Sequence, residues 1–172
     1  MSEKYDIYDS AKNDNWRFVL GKSGEKILFT IGLNPSTATK EASDTTVAKV
    51  EKVAVKNGFD GFVMLNLYPL RSTDYNALPI EVDQLAFDQN LNCIVELLSS
   101  QHHPFVWVAW GNSISARKYF PNAISELYKR CKSLNICWQH FGQLTALGNP
   151  RHPSRLFYEW KFNDFNLKHY LR

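Results

Sequence analysis

Four apolar segments of strand length alternate with helix-like patterns, and this alternation is the strongest constraint on the fold. The apolar runs are 26–33, 62–67, 105–110 and 135–141. The predicted helices are 44–57, 82–98, one that starts near Asn112 and a closing helix within 153–165. Near-continuous apolar strands are typical of a parallel sheet that is covered on both faces. The pattern therefore predicts an α/β fold, a three-layer α/β/α sandwich with a mostly parallel sheet of about four core strands.

A further strand is predicted near the N-terminus. The apolar run 16–20 precedes the run 26–33, and the segment Gly-Lys-Ser-Gly at 21–24 lies between them. Glycine-rich turns between two apolar runs are typical of a β-hairpin, so we expect an N-terminal hairpin. The length of 172 residues, without a repeat or a linker, predicts a single domain over residues 1–172.

The composition disfavours several classes of protein. The first twenty residues lack the pattern of a secretory signal, and no apolar run approaches the roughly 18–20 residues that span a bilayer. We therefore expect a cytoplasmic protein without membrane contact. Cys93, Cys131 and Cys137 form no Cys-x-x-Cys pair, which favours buried thiols over a metal site or a disulfide. We expect no metal, no cofactor and a monomer.

Charge gives only a weak indication of a partner. The net charge is +3, and basic side chains outnumber acidic ones in the C-terminal third. A basic region of this kind suits either contacts with the phosphates of a nucleic acid or an ordinary solvated surface. Both readings stay open at this point.

Polar side chains collect where the predicted parallel strands end. In sheets of this type, ligands bind at the carboxyl ends of the strands. The segment 32–36, Gly-Leu-Asn-Pro-Ser, follows one strand, and Asn34 is expected to project into the cleft. In the alternative reading this segment is a plain turn, with Ser36 or Thr37 capping a short helix.

Two further strand-end residues are candidates. Asn66 interrupts an apolar strand, and a buried amide needs hydrogen-bond partners, either the edge of a pyrimidine or a neighbouring loop. His152 stands in the loop after the last predicted strand, where it either braces the loop or donates a hydrogen bond to developing negative charge. Pro153 is expected to hold it rigidly.

Four motifs in order resemble those of the uracil-DNA glycosylase superfamily. They are Gly-x-Asn-Pro in the first loop, the asparagine that ends a hydrophobic strand, Trp-Gly-x-x-x-x-x-Arg-Lys at 110–118 and His-Pro-Ser-x-Leu at 152–156. The similarity spans about 27–167, and the segment Gly-Leu-Asn-Pro-Ser-Thr-Ala at 32–38 is similar to an uncharacterised bacterial and phage branch of that superfamily. The resemblance implies the fold of that superfamily and excision of a flipped pyrimidine from DNA.

The resemblance also implies a role for each matching residue. Asn34 corresponds to the residue that positions the attacking water, Asn66 to the reader of the base edge and His152 to the residue that stabilises the departing base. The substrate-binding set comprises Gly32, Leu33, Pro35, Ser36, Asn66 and Tyr68. The DNA-binding set comprises Pro153, Ser154, Arg155 and Leu156, with Leu156 as the wedge that fills the emptied base stack.

Asp44 is a second candidate for the water-activating group. It reaches the same cleft if the loop 37–45 folds back, and otherwise it is the N-cap of the following helix. The loop that contains Asn34 has no lysine suited to a Schiff base, which predicts hydrolysis without strand cleavage.

Two departures from the family pattern bear on the substrate. No aromatic residue occurs between Ser36 and Phe59, and Ser36 stands where the uracil-specific branch has a tyrosine that excludes C5 substituents. An enlarged pocket suggests a C5-modified pyrimidine, such as hydroxymethylated or glucosylated cytosine of phage DNA, and hence a role in antiviral defence. The candidates for the missing stacking surface are Tyr68, Tyr75, Trp107 and Trp110.

Three alternative functions remain from the sequence. The first is repair of uracil or of thymine mismatches, and the second is hydrolysis of a free nucleoside. The third is binding of DNA or a nucleotide without catalysis, because asparagine at position 34 is a weaker water activator than aspartate.

Overall fold

A seven-stranded mixed sheet with helices on both faces forms the protein, as described for residues 2–172 by a computed structural model. The strands are β1 (Ile7–Ala11), β2 (Trp16–Lys22), β3 (Ile27–Gly32), β4 (Gly61–Asn66), β5 (Phe105–Val108), β6 (Cys137–Phe141) and β7 (Phe162–Asp164). The α-helices are α1 (Thr45–Lys56), α2 (Gln84–Ser99), α3 (Tyr119–Arg130) and α4 (Leu167–Tyr170). The prediction of an α/β fold is confirmed.

The strands lie in the order β1-β2-β4-β3-β5-β6-β7. The four central strands are parallel: β3 pairs with β4 and with β5, and β5 pairs with β6. Antiparallel strands flank them, with β2 against β4 on one side and β7 against β6 on the other. The carboxyl ends of four strands therefore open on one edge of the sheet, and this edge carries the candidate site.

The predicted pairing of 16–20 with 26–33 is wrong. β2 pairs with β1 and β4, and β4 lies between β2 and β3. The hairpin is instead β1–β2, and its turn contains Lys12, Asn13 and Asp14 at positive φ. Gly21, which was predicted to form the turn, instead allows β2 and β4 to pack closely. A Cβ at this position would clash with the Phe62 carbonyl oxygen.

The predicted closing helix at 153–165 is also wrong. Only a 3₁₀ turn, Pro153–Arg155, forms there, and β7 and the four-residue α4 follow. The apolar side chains Tyr158, Trp160 and Phe162 alternate, and all three are partly buried against the sheet. Alternation of period two suits a strand that covers an edge of the sheet better than a helix. The helix predicted near Asn112 likewise begins as a 3₁₀ segment, and α3 starts at Tyr119.

Two hydrophobic cores cover the two faces of the sheet. The core on the α1 face contains Tyr5, Leu20, Leu28, Ala38, Val47, Val50, Val53, Ala54, Phe59, Phe62, Met64, Trp107, Ala109 and Phe141. The core on the opposite face contains the buried residues of α2 and α3, among them Leu91, Ile94, Phe120, Ile124 and Leu127. Strand residues alternate between the two, as Val106 and Val108 do with Trp107 and Ala109. Helices therefore lie on both faces of the sheet.

Candidate functional site

A cleft of about 700 Å³ opens at the carboxyl ends of the parallel strands. Most of the residues singled out in the sequence line it. The first loop contributes Leu33, Asn34, Pro35 and Ser36. Asp44 precedes α1 and Asn66 ends β4, while the loop after β6 contributes His152, Ser154 and Arg155. The structure thus brings together segments that are more than 100 residues apart in the chain.

Four of the proposed residues do not line the cleft: Gly32, Tyr68, Pro153 and Leu156. Gly32 lies below it, against Asn66, and Pro153 is buried behind His152 and Ser154. Leu156 is partly buried against the α1-face core, so its side chain packs inside the protein instead of projecting from it. The large apolar side chain exposed beside it is Phe157, of which 66% is accessible.

Tyr68 was predicted to contact the substrate, but it is buried away from the cleft. Its ring is 1% exposed and packs on Tyr119 with the ring centroids 4.4 Å apart, in the core of α2 and α3. Its hydroxyl accepts a hydrogen bond from the Asp83 backbone nitrogen at 3.0 Å. Among the four stacking candidates, Trp107 is also buried in a core. Trp110 lines the cleft but is 2% exposed and belongs to the core of α2 and α3, whereas Tyr75 lines the cleft and is 39% exposed.

Gly32 and Asn66 are neighbours on the paired strands β3 and β4. A Cβ at Gly32 would lie 3.0 Å from Asn66 Oδ1 and 2.8 Å from Met64 Cε. Glycine is therefore needed at position 32 to leave room for the amide of Asn66 at the floor of the cleft.

Asn66 is buried, with 1% of its surface exposed, and its Nδ2 has no hydrogen-bond partner within residues 2–172. Asn66 contacts α2 through its backbone: Asn90 Nδ2 donates to the Asn66 carbonyl oxygen at 2.7 Å. The side chain therefore does not tie down a loop. A buried amide without a partner destabilises the fold by about 1–3 kcal/mol, and a ligand in the cleft would satisfy it.

Asn34 is held by the backbone around it. Its Nδ2 donates to the carbonyl oxygens of Pro35 at 3.1 Å, Ser72 at 3.1 Å and Leu70 at 3.4 Å. This orientation leaves Oδ1 as the acceptor that the side chain can offer to a ligand or a water. No helix starts at Ser36 or Thr37, so the reading of these residues as helix caps is wrong.

Asp44 caps the helix and also reaches the cleft. Oδ1 accepts from the Val47 nitrogen at 2.8 Å and caps α1, as predicted. Oδ2 accepts from the Ala38 nitrogen at 3.1 Å, which folds the loop 37–45 back and makes Asp44 part of the cleft wall.

His152 has a defined tautomer. Its Nδ1 accepts a hydrogen bond from the Ser154 nitrogen at 3.2 Å and lies 2.8 Å from Ser154 Oγ. An accepting Nδ1 leaves the proton of a neutral ring on Nε2. Burial lowers the pKa of His152 to about 4, although the charge of Asp44 acts in the opposite direction. The ring is therefore neutral near pH 7 and can donate from Nε2.

This lowered pKa predicts how the stability of the fold depends on pH. The unfolded histidine titrates near 6.5 and the folded one near 4, so protons bind preferentially to the unfolded chain. Stability is fully present above pH 6.5 and is expected to fall as the pH drops toward 4. Melting temperatures measured across this window should fall more steeply for the wild type than for His152→Ala, while the lowered pKa of His140 contributes equally to both proteins. If the melting temperatures of the two proteins fell equally with pH, the lowered pKa of His152 would be contradicted.

The loop after β6 is tied to the end of β5 by a chain of hydrogen bonds. Asn112 Oδ1 accepts from Thr145 Oγ1 at 2.7 Å and from Asn149 Nδ2 at 3.0 Å. The Tyr170 hydroxyl donates to Asn149 Oδ1 at 2.6 Å and accepts from Trp110 Nε1 at 3.1 Å. Gly111 lets the loop approach closely, since a Cβ there would lie 3.1 Å from the Cβ of His152. These contacts fix the position of His152.

Arg17 is the main residue of the cleft that sequence reasoning missed. It stands in β2 and is 2% exposed, yet it lines the cleft. Its Nη1 donates to the Ala38 carbonyl oxygen at 3.1 Å, and burial lowers its pKa to about 10. The signal in the sequence was an arginine inside the apolar run 16–20.

Basic side chains border the cleft on the side of α1. Lys49 Nζ donates to the Ser154 carbonyl oxygen at 3.2 Å, which joins α1 to the His152 loop. Lys52 Nζ lies 4.3 Å from the centre of the Tyr158 ring. Lys49 and the exposed Arg155 give this rim a positive charge.

Two features are not found in the part of the chain that the structure describes. Residues 2–172 contain no group of three or more His, Cys, Asp or Glu side chains arranged to hold a metal ion. None of the helices in this range has the length and apolar character needed to cross a membrane.

The fold and the cleft together define an α/β domain with a polar cleft at the carboxyl ends of its parallel strands. The chain belongs to the family described as Protein of unknown function (DUF1643), whose model matches residues 16–154. This range contains every residue of the cleft except Arg155. No curated protein and no solved structure matches the chain.

Proposed function

We propose that the protein is a monofunctional DNA glycosylase that hydrolyses the N-glycosidic bond of a flipped-out pyrimidine. The observation that carries this proposal is the meeting, in one cleft, of Asn34, Asn66 and His152 with the unpartnered Nδ2 of Asn66 at its floor. These are the residues on which the resemblance to the uracil-DNA glycosylase superfamily rests.

Each of the three side chains offers the group that the reaction needs. Asn66 presents an amide, whose donor and acceptor match the edge of a pyrimidine. Asn34 offers Oδ1 to a water, because its Nδ2 is held by three carbonyl oxygens. His152 donates from Nε2 to the base as it departs with negative charge.

In the reaction, the bond between C1′ of the sugar and N1 of the base breaks and its electron pair stays on the base. The water oxygen bonds to C1′, and the proton that the water loses neutralises the base. Positive charge on the sugar makes a strongly deprotonated water unnecessary, so positioning by Asn34 is enough. No amine is bonded to the sugar, and the DNA strand stays intact.

The dimensions of the cleft support a pyrimidine with a bulky C5 group. A volume of about 700 Å³ is typical of sites for drug-sized ligands and exceeds what an unmodified base needs. Its wall carries the hydroxyl groups of Ser36, Ser72, Thr73 and Tyr75, which can bind the oxygens of a hydroxymethyl or glucosyl group. We therefore propose modified cytosine of phage DNA as the substrate and antiviral defence as the role.

The rim of the cleft suits a nucleic acid. Lys49 and Arg155 offer positive charge to the phosphates. We propose Phe157 as the wedge in place of Leu156, because Phe157 is 66% exposed and Leu156 is packed on the core.

The test is an abasic-site assay on oligonucleotides that carry uracil, a thymine mismatch, hydroxymethylcytosine or its glucosylated form. We expect base release from at least one C5-modified oligonucleotide and none from unmodified cytosine. Release of uracil or mismatched thymine alone would assign the protein to repair and would overturn the modified-cytosine proposal.

Replacing Ser36 by tyrosine tests the size of the pocket. The ring would enter the wall of the cleft where C5 substituents are expected, so release of the glucosylated base should fall by about 10²-fold or more, while release of the smaller hydroxymethylated base should fall less. Ser36→Ala is the matched control, since it removes the hydroxyl without filling space. Equal losses on both substrates would contradict the placement of C5 beside Ser36.

Binding of DNA without catalysis is the second candidate. The observation in its favour is that both carboxylate oxygens of Asp44 already accept backbone hydrogen bonds. In that case the same oligonucleotides would bind tightly and every base would remain attached.

A further inference from the structure

Arg17 brings a positive charge to the floor of the cleft. It is 2% exposed and lines the cleft, and its Nε has no hydrogen-bond partner within residues 2–172. Its one side-chain hydrogen bond in this range goes to the Ala38 carbonyl oxygen. Arg17 belongs to none of the ion pairs formed by residues 2–172.

A buried arginine in this situation is unfavourable for folding. An ion withdrawn from water destabilises the fold by several kcal/mol unless a counter-charge and hydrogen bonds compensate. The charged groups that act on Arg17 are Asp44 and Asp14, which favour its charge, and Arg71, which opposes it. Neither carboxylate forms an ion pair with Arg17, so the guanidinium can still form a direct contact with a negatively charged ligand.

Arg17 lies on the same side of the sheet as the base-reading amide. Met64 belongs to the α1-face core, and Asn66 follows it by two residues on β4, so the Asn66 side chain lies on the α1 face as well. β2, which contains Arg17, is the neighbour of β4 in the sheet. Arg17 donates to Ala38, a member of the α1-face core. Two residues that each carry an unpartnered buried donor, Arg17 with Nε and Asn66 with Nδ2, therefore line one cleft.

The neutral ring of His152 leaves the negative charge of a departing base without a full counter-charge. His152 can donate a hydrogen bond, but it carries no charge near pH 7. Arg17 is buried and permanently charged, and a fixed charge in a site shielded from water acts more strongly than one in solvent.

We propose that Arg17 contacts the departing pyrimidine and stabilises it as an anion. This inference rests on the proposed glycosylase reaction and names the group that bears the charge of its leaving group. When the bond from C1′ to N1 breaks, the electron pair that remains on the base faces Arg17, and the proton lost by the attacking water later neutralises it.

The test compares Arg17→Met with Arg71→Met. Arg71 is the matched control, because it donates to the same Ala38 carbonyl oxygen at 2.8 Å but is paired with Asp14 at 3.0 Å and does not line the cleft. If Arg17 only braces the loop, the two variants should behave alike. Arg17→Lys keeps the charge and serves as the conservative variant, and circular dichroism checks that each protein is folded.

The readout is the dependence of base release on the acidity of the leaving group. A formyl group at C5 makes cytosine a better leaving group than a hydroxymethyl group does, with little change in size. We expect Arg17→Met to slow release of hydroxymethylcytosine by about 10²-fold and of formylcytosine by about tenfold, because the more acidic base needs less stabilisation. Arg71→Met should slow both equally, and Arg17→Lys should recover part of the loss. Equal slowing of both bases by Arg17→Met would overturn the proposal.

A binding measurement separates this proposal from the glycosylase itself. Free 5-nitrouracil is an anion at mildly alkaline pH, and calorimetry can compare its affinity with that of neutral uracil. Wild type and Arg71→Met should bind the anion at least about tenfold more tightly than Arg17→Met does, with no such difference for uracil. Equal anion affinity in all three proteins would overturn the role of Arg17. Failure of the wild type to release any base while this difference persists would instead overturn the reaction.

Discussion

Replacing His152 by alanine is expected to lower the rate of base release about 10²–10³-fold. The ring is neutral and its Nδ1 is occupied by the Ser154 nitrogen, so the Nε2 proton is directed to one use, donation to the departing base. Alanine removes this donor without leaving a buried charge. Single-turnover release from an accepted oligonucleotide measures the effect on the chemical step.

Two controls separate this effect from a change in the loop. Ser154→Ala removes the hydroxyl near Nδ1 but keeps the backbone donor, so its effect should be smaller. Asn34→Ala should also slow release, since it removes the Oδ1 acceptor. A His152→Ala protein that releases base at the wild-type rate would contradict the assigned role.

Replacing Trp107 by alanine is expected to lower the free energy of unfolding by about 3 kcal/mol, the low end of the range for a buried tryptophan. The side chain is 1% exposed, and its ring lies 5.4 Å from that of Phe141 and 5.7 Å from that of Phe162. The low end applies because Trp107 Nε1 is buried without a partner in residues 2–172, and its removal relieves that penalty.

Urea unfolding measures this loss. Leu147→Ala is the control, because Leu147 is 75% exposed and its replacement should change stability by less than about 0.5 kcal/mol. A Trp107→Ala protein as stable as the wild type would contradict the description of the α1-face core.

The central strands and α1 could be predicted because their signals are local. β3, β4, β5 and β6 are apolar runs that need burial on both faces, and α1 has apolar residues at helical spacing with Asp44 as its N-cap. Neither signal depends on a distant partner.

The errors arose where distant contacts decide the structure. Gly21 is small because β4 approaches it, which no local turn rule reveals. The segment around Trp160 covers the edge of the sheet beside β6. Burial of its apolar side chains against that edge favours an extended chain over the helix that was predicted there.

The candidate site was predictable in part for the same reason. Asn34, Asn66 and His152 follow strand ends, and strand ends of a parallel sheet meet at one edge. Tyr68 was misplaced because the chain turns after Asn66 and carries its ring to the face covered by α2 and α3. Arg17 was missed because β2 is antiparallel to β4, so its start lies beside the carboxyl end of β4.

The most direct test of the glycosylase proposal is mass spectrometry of the small molecules released from the modified oligonucleotides. We expect a free base in amounts equal to the abasic sites formed, from an otherwise intact strand, and no release by Asn34→Ala or His152→Ala. Release of a nucleotide, or tight binding with every base still attached, would contradict it.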